Sequence, residues 1–243
     1  MDKRIAVVIG VGPPLGLGAA VARRFAREGL HVIVASRTAD RLERLVTEIQ
    51  NSGGTAQAVQ TDVTIETDVI RLFDIATVNA GMLELVAYNV GSNAMVPFLE
   101  ITSDLMEHLW RQNALGGFLV GREAVRHMLR RRQGTIIFTG ATASLRARPP
   151  FTAFASAKAS LRAIAQGMAR EFGPQGLHVA HVVIDGVIGG EYARTSFPEL
   201  VQAKGEDGLL APEAIADAYW ALHRQPPSAW THELDLRPYR EPF

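Results

Sequence analysis

The stretch from Arg4 to Arg37 constrains this chain more than any other. Ile5-Ala6-Val7-Val8-Ile9 is a continuous, mostly β-branched apolar run, the pattern of a strand covered on both faces in a parallel sheet. Gly10 and Gly12-Pro13-Pro14-Leu15-Gly16-Leu17-Gly18 follow, and there the apolar period changes from strand to helix. Leu17, Ala20, Val21, Phe25 and Leu30 line one face, with Arg23, Arg24, Arg27 and Glu28 turned to water. A second strand begins at His31 and ends at Ser36. In such a turn one glycine permits the tight bend, one lets backbone approach a pyrophosphate and one packs helix on strand. The helix N-terminus adds unpaired N–H groups and the positive end of a dipole. A glycine triplet alone marks only a turn, but inside a complete strand-helix-strand unit it reads as a nucleotide grip.

Composition narrows the class. The 243 residues, 47% hydrophobic, suffice for one large α/β core without a second domain. Lys plus Arg and Asp plus Glu both number 25, so no global charge points to nucleic acid or an anionic membrane. The absence of cysteine excludes disulfides, thiolate metal sites and a cysteine nucleophile, and no metal site is expected. The apolar run after Arg4 is too short for a signal peptide and nothing later approaches a membrane span, so the expectation is a cytoplasmic protein.

Along the chain, strands alternate with helices to the end, which predicts a doubly wound, seven-stranded parallel sheet with helices on both faces. The tip of the second strand reads Ala35-Ser36-Arg37-Thr38. NAD sites place an acid there for the ribose hydroxyls; here Ser36 takes its place and Arg37 offers a guanidinium to a 2′-phosphate, which favours NADP. Arg37 opening a solvated helix is the alternative. Thr38 is expected to cap a helix reaching Ser52, and a third strand runs from Ala56 to Gln60. The apolar run Leu83 to Tyr88 is the fourth strand, with a helix from Ile65 to Asn79 before it. A long helix is expected from Thr102 to about Arg131, a fifth strand from Thr135 to Thr139, a helix from Phe151 to Phe172 and a sixth strand from Leu177 to Ile184. Gly189 to Leu210 is glycine-punctuated and carries Tyr192, Arg194 and Phe197; it reads as a substrate lid or a merely flexible loop. His181, on an apolar strand, reads as a satisfied core histidine. A last helix starts after Pro212, His232 to Leu236 is the seventh strand, and the two prolines of the tail disfavour further regular structure there.

The spacing Gly12-x-x-x-Gly16-x-Gly18, together with Lys158 on a small-residue helix, resembles the short-chain dehydrogenase/reductase family over nearly the whole chain. The resemblance implies a single Rossmann-like domain spanning 1–243 and a nicotinamide cofactor. Gly12, Gly16, Leu17 and Gly18 would meet its pyrophosphate, Asp62 and Val63 its adenine, Asn89 and Gly91 its central part, Ile188 its carboxamide and Lys158 its nicotinamide ribose. A helix N-cap is the alternative reading of Asp62, and both roles can hold together. Val78-Asn79-Ala80-Gly81 imitates the family's Asn-Ala-Gly motif but precedes the fourth strand, which makes Tyr88-Asn89-Val90-Gly91 the equivalent. Asn113 would distort its helix and order a water near Lys158, an exposed asparagine being the alternative. In the loop before Gly12's partner helix, Pro13 and Pro14 depart from the family's small polar residues and remove two backbone donors. Asp185 replaces the family's proline.

The resemblance also calls for a serine and a tyrosine, and here Ala141 and Phe154 stand at those positions. The tyrosine moves the proton on the substrate oxygen, work worth ~10²–10⁴-fold in rate that a phenyl ring cannot do. Thr142, Ser144, Tyr88, Tyr192 and Lys158 itself are the candidate substitutes. The leading expectation is an NADP(H)-dependent oxidoreductase interconverting carbonyl and alcohol on a small molecule, with a non-standard site. Its rivals are a nucleotide-binding sensor or partner subunit without turnover, and non-redox chemistry in the same pocket. The family further implies a homodimer or homotetramer built on the helices around Leu105 to Arg131 and Phe151 to Phe172, with the aromatic tail against a neighbour.

Overall fold

Seven strands alternate with helices in the computed structural model, which describes residues 3–78 and 81–241. The strands are β1 (Arg4–Ile9), β2 (His31–Ser36), β3 (Thr55–Gln60), β4 (Met82–Tyr88), β5 (Gly134–Thr139), β6 (Leu177–Ile184) and β7 (Glu233–Leu236). The helices are α1 (Leu17–Arg27), α2 (Ala39–Asn51), α3 (Glu66–Thr77), α4 (Ser103–Trp110), α5 (Gly116–Met128), α6 (Thr152–Phe172), α7 (Glu191–Ser196), α8 (Pro198–Lys204) and α9 (Pro212–His223). One sheet results, parallel throughout, in the order β3-β2-β1-β4-β5-β6-β7. The chain is thus a single-domain, Rossmann-like α/β fold.

Alternate side chains of the central strands feed two apolar layers. Val8, Val34, Ala87 and Val182 meet α1, α2 and α9 through Phe25, Leu45 and Ile215. Val7, Val86, Phe138 and Val179 meet α3, α5 and α6 through Phe73, Val120 and Leu161. The strand order reverses between β1 and β4, opening a crevice beyond their carboxyl ends, where ligands of doubly wound sheets bind.

Several boundaries depart from the sequence expectation for local reasons. Thr38 holds the N-cap position of α2 but its side chain caps nothing; its N–H leans back on Ser36 Oγ at 3.4 Å. Asp62 is not a helix cap either. Its carboxylate accepts from the Thr64 N–H and hydroxyl at 2.9 and 2.7 Å, and Ile65 precedes α3. α3 ends at Thr77, and the expected extension reaches Asn79, which lies outside the described residues with Ala80. The expected long helix from Thr102 is interrupted by a π turn over Arg111–Leu115 between α4 and α5. Thr102 does cap it, accepting from Leu105 N–H at 3.2 Å. The 189–210 segment is largely helical, being α7 and α8, and it returns to the sheet through an Ile188–Leu210 bridge.

Candidate functional site

The glycine loop is held by close backbone contacts. Gly10 has φ +87°, and a Cβ there would lie 2.5 Å from the Asn89 carbonyl. A Cβ at Gly18 would lie 2.7 Å from the Gly10 carbonyl oxygen, so α1 packs on the loop at a distance only glycine permits. Asn89 closes this joint: its N–H bonds the Ile9 carbonyl at 2.8 Å and its Nδ2 bonds the Gly10 carbonyl at 3.2 Å. Gly12, by contrast, faces open space, with nothing within 4 Å of a Cβ built on it. Gly16 is the N-cap of α1, and buried Leu17 starts that helix.

A cavity of about 470 Å³ lies over this loop. Gly12, Ser36, Arg37, Asp62, Val63, Asn89 and Gly91 all line it, so the structure brings together most of the residues expected around a nucleotide. Gly16, Leu17 and Gly18 sit behind the loop and shape it. Arg41 and Gln112 are among the cavity residues that the sequence reading did not assign. Arg41, in the first turn of α2, lines both this cavity and an adjoining cleft beside Pro13 and Pro14. Gln112 reaches in from the π turn, accepting from Ser92 Oγ at 2.6 Å. Arg41 is legible only as the next cation after Arg37 in the run that opens α2; Gln112 depends on the π turn around Asn113.

Lys158 lies at the inner end. It is buried on α6, donates to the Thr139 carbonyl at 2.9 Å and to the Val90 carbonyl at 3.4 Å, and burial pushes its pKa down to about 8. Asn113 sits inside the π turn and donates to the Leu109 carbonyl at 2.9 Å, while its buried Oδ1 has no partner. That oxygen and Lys158 Nζ flank Gly91, at 3.3 and 3.1 Å from a Cβ built there. An orphaned buried acceptor beside an ammonium, an open glycine and a free helix N-terminus fit the ribose and phosphates of a dinucleotide. The Phe154 ring stands 5.9 Å from Lys158 Nζ.

The candidate hydroxyls have different surroundings. Tyr88 is fully buried under β4 and donates to the Gln112 carbonyl, and burial raises its pKa, so it is a core residue and not a proton donor for substrate. Ser144 is buried and turned inward, accepting from the Ala141 N–H at 3.1 Å. Thr142 donates to the carboxylate of Asp185. Tyr192 of α7 is exposed and lines the cavity, with Phe197 packed edge-on at 5.8 Å. Ile188 anchors the start of the same segment. His181 is satisfied at one nitrogen only: Nδ1 meets Glu233 at 3.0 Å, Nε2 has no partner, and burial lowers its pKa to about 4.

The family model for the short chain dehydrogenase matches residues 4–198, and the chain belongs to that family of oxidoreductases. It is 40% identical to a short-chain dehydrogenase of Rhodopseudomonas palustris, superposing with a TM-score of 0.85 over 98% of this chain and 100% of that one. An alcohol dehydrogenase from the archaeon Thermococcus sibiricus, complexed with 5-hydroxy-NADP, is 25% identical with a TM-score of 0.86 over 99% of each chain. An uncharacterized oxidoreductase of Bacillus subtilis, YuxG, is 36% identical over 194 residues, 78% of this chain but 28% of that protein's length. No helix among the described residues is long and apolar enough to cross a membrane.

Proposed function

We propose that this chain is an NADP(H)-dependent oxidoreductase that interconverts an alcohol and a carbonyl on a small molecule, using a site in which Ala141 and Phe154 replace the family's serine and tyrosine. The observation that carries the cofactor choice is the rim of the cavity, where Ser36, Arg37 and Arg41 stand and the tip of β2 bears no acid. A guanidinium pair suits a 2′-phosphate, and no carboxylate opposes it there. The archaeal alcohol dehydrogenase with its NADP analogue agrees with this reading. The nicotinamide, when bound, supplies or takes up the hydride. The chain's own part is to hold it: Asn89 locks the glycine loop, the N-terminus of α1 faces the phosphates, Lys158 holds the ribose, and Asn113 Oδ1 orients a water or hydroxyl beside Lys158. Tyr192 and its helix α7 act as the lid.

Titration of the protein with NADPH and NADH by fluorescence tests this. NADPH should bind more tightly, and Arg37→Ala should lose about ten- to a hundredfold in NADPH affinity, the worth of a charge-assisted contact of ~1.5–3 kcal/mol. Equal affinities for the two cofactors would sink the cofactor choice. A second reading, nucleotide binding without turnover, draws on Phe154 and Ala141; it predicts tight NADPH binding and no hydride transfer with any carbonyl or alcohol.

A further inference from the structure

Asp185, at the carboxyl end of β6, is buried to 4% exposure. Its carboxylate accepts from Thr142 Oγ1 at 2.5 Å and from Arg146 Nη2 at 3.5 Å, and it forms an ion pair with Arg237 Nη2 at 2.7 Å. Its N–H is taken by the Leu236 carbonyl at 2.8 Å, so the residue is clamped between the loop after β5 and the end of β7. A threonine has one O–H proton and two lone pairs. With that proton committed to a carboxylate, Thr142 Oγ1 offers a ligand lone pairs and no donor. A ketone oxygen needs a donor, whereas an alcohol O–H needs an acceptor. Thr142 follows Ala141 in the loop after β5, three residues past Thr139, whose carbonyl accepts from Lys158 at 2.9 Å, while Ser144 in that loop is buried and accepts from the Ala141 N–H.

We propose that Thr142, held by Asp185, is the proton acceptor for a hydroxyl-bearing substrate, so that the site is built for alcohol oxidation. This rests on the NADP-dependent oxidoreductase reading. The substrate O–H bond breaks as its proton passes to Thr142 Oγ1, and the Thr142 proton passes to Asp185 Oδ1. The carbinol C–H bond breaks with its electron pair, the hydride goes to NADP⁺, and the carbon–oxygen bond becomes a carbonyl. Asp185 then returns its proton to solvent. Thr142 touches the substrate; Asp185 acts through it and is a positioning residue. Arg146 and Arg237 are the charged groups against Asp185 from the loop after β5 and from the end of β7.

The test has a binding arm and a kinetic arm, on the full chain. NADPH affinity is measured first. The complex with 1,4,5,6-tetrahydro-NADP, which neither gives nor takes a hydride, is then titrated by calorimetry with cyclohexanol, borneol and menthol and with cyclohexanone, camphor and menthone. Alcohols should bind about tenfold or more tightly than their ketones, Thr142→Ser should keep that preference and Thr142→Val should abolish it. With NADP⁺, kcat for alcohol oxidation should fall roughly a hundredfold or more in Thr142→Val and Asp185→Asn, with KM for NADP⁺ unchanged. If Asp185→Asn does not fold, Thr142→Val, which keeps the Asp185–Arg237 pair, decides. Ketones bound as tightly as alcohols, or a Thr142→Val protein that binds NADPH and oxidises alcohols within about threefold of the parent, would overturn the proposal. So would a parent that binds NADPH yet neither binds nor oxidises any of the alcohols. Failure to bind NADPH would instead overturn the cofactor reading beneath it.

Discussion

Lys158 is an ammonium held in the interior by two backbone carbonyls, and its depressed pKa of about 8 makes it an electrostatic cost to the fold, beside the ribose contact proposed for it. Below pH 8 the lysine is charged in both folded and unfolded chains. Between about 8 and the unfolded value near 10.4 the folded chain has lost the proton and the unfolded chain has not, so stability rises with pH there. Lys158→Met has no such dependence. Denaturant melts of the two proteins should therefore diverge in the parent's favour as pH rises through that window, by up to ~3 kcal/mol, and the variant should lose NADPH affinity. Phe154 invites the opposite experiment. Its ring already stands by Lys158, so Phe154→Tyr should fold without repacking and Ala141→Ser should add a second donor. The double variant should gain carbonyl reduction with NADPH by about tenfold or more, beyond the sum of the single changes; a well-folded, NADPH-binding variant no faster than its parent fails this. Single residues were legible in the sequence where a motif fixes their place, as for Lys158 and Asn113. Asp185 was visible only as a missing proline, because its partners Thr142, Arg146 and Arg237 come from distant segments.

At the scale of elements, period and punctuation located the strands well. Leu83 to Tyr88 lies within β4 (Met82–Tyr88), which moves the look-alike motif ending at Gly81 outside the site. The break between α4 and α5 falls at Asn113, where the family resemblance implied a distorted helix, while the apolar period alone ran on through it. An asparagine donating back to the carbonyl four residues earlier competes with the helical ladder, and here the ladder yields as a π turn. Nor did glycine punctuation reveal that α7 and α8 fill the 189–210 segment, since two short helices leave little periodic signal. The joint between β1 and α1 gives the sharpest prediction. Gly18→Ala would press a methyl group against the Gly10 carbonyl and Val11 Cα, at 2.7 and 2.9 Å, atoms that are backbone and cannot swing aside. A loss of about 1–3 kcal/mol in chemical denaturation is expected, with weaker NADPH binding, whereas Gly29→Ala would be strained only by its φ of +82°.

The whole molecule carries an acid-sensitive interior. His181 lies against Glu233, Lys158 and Arg162, and His223 against Glu84, Arg4, Arg224 and His178; burial is the largest influence on each and lowers both pKa values to about 4. Above the unfolded value near 6.5 both are neutral in either state. As pH falls from 6.5 to 4 the unfolded chain takes up protons first, so stability is lost across that window, by at most ~3 kcal/mol per histidine. Melting temperatures from pH 7 to 4 should show the drop, and His181→Asn or His223→Gln should flatten it. Assembly is a separate expectation. Met106, Trp110 and Phe118 are 39%, 43% and 44% exposed along α4 and α5, and Ala159 is exposed on α6. Light scattering at micromolar concentration should find a dimer or tetramer, and Trp110→Glu should shift it toward monomer. The tail has a nearer partner than the expected neighbour: Glu241 pairs with Lys204 of α8 at 2.5 Å, and Tyr239 Oη donates to Asp207 at 3.4 Å.

Pro13 and Pro14 subtract donors from the glycine loop, yet they also fix two of its backbone angles. The Gly16 N–H closes a turn onto the Pro13 carbonyl at 2.9 Å, and Arg23 Nη1 pins the Pro14 carbonyl at 2.8 Å from α1. A loop so confined has surrendered most of its conformational entropy before any nucleotide arrives. What the chain forgoes in hydrogen-bond enthalpy it regains in part as preorganisation, and on the proposed reading the phosphates would meet a preformed rim whose attraction comes from α1 and α2 more than from the loop itself.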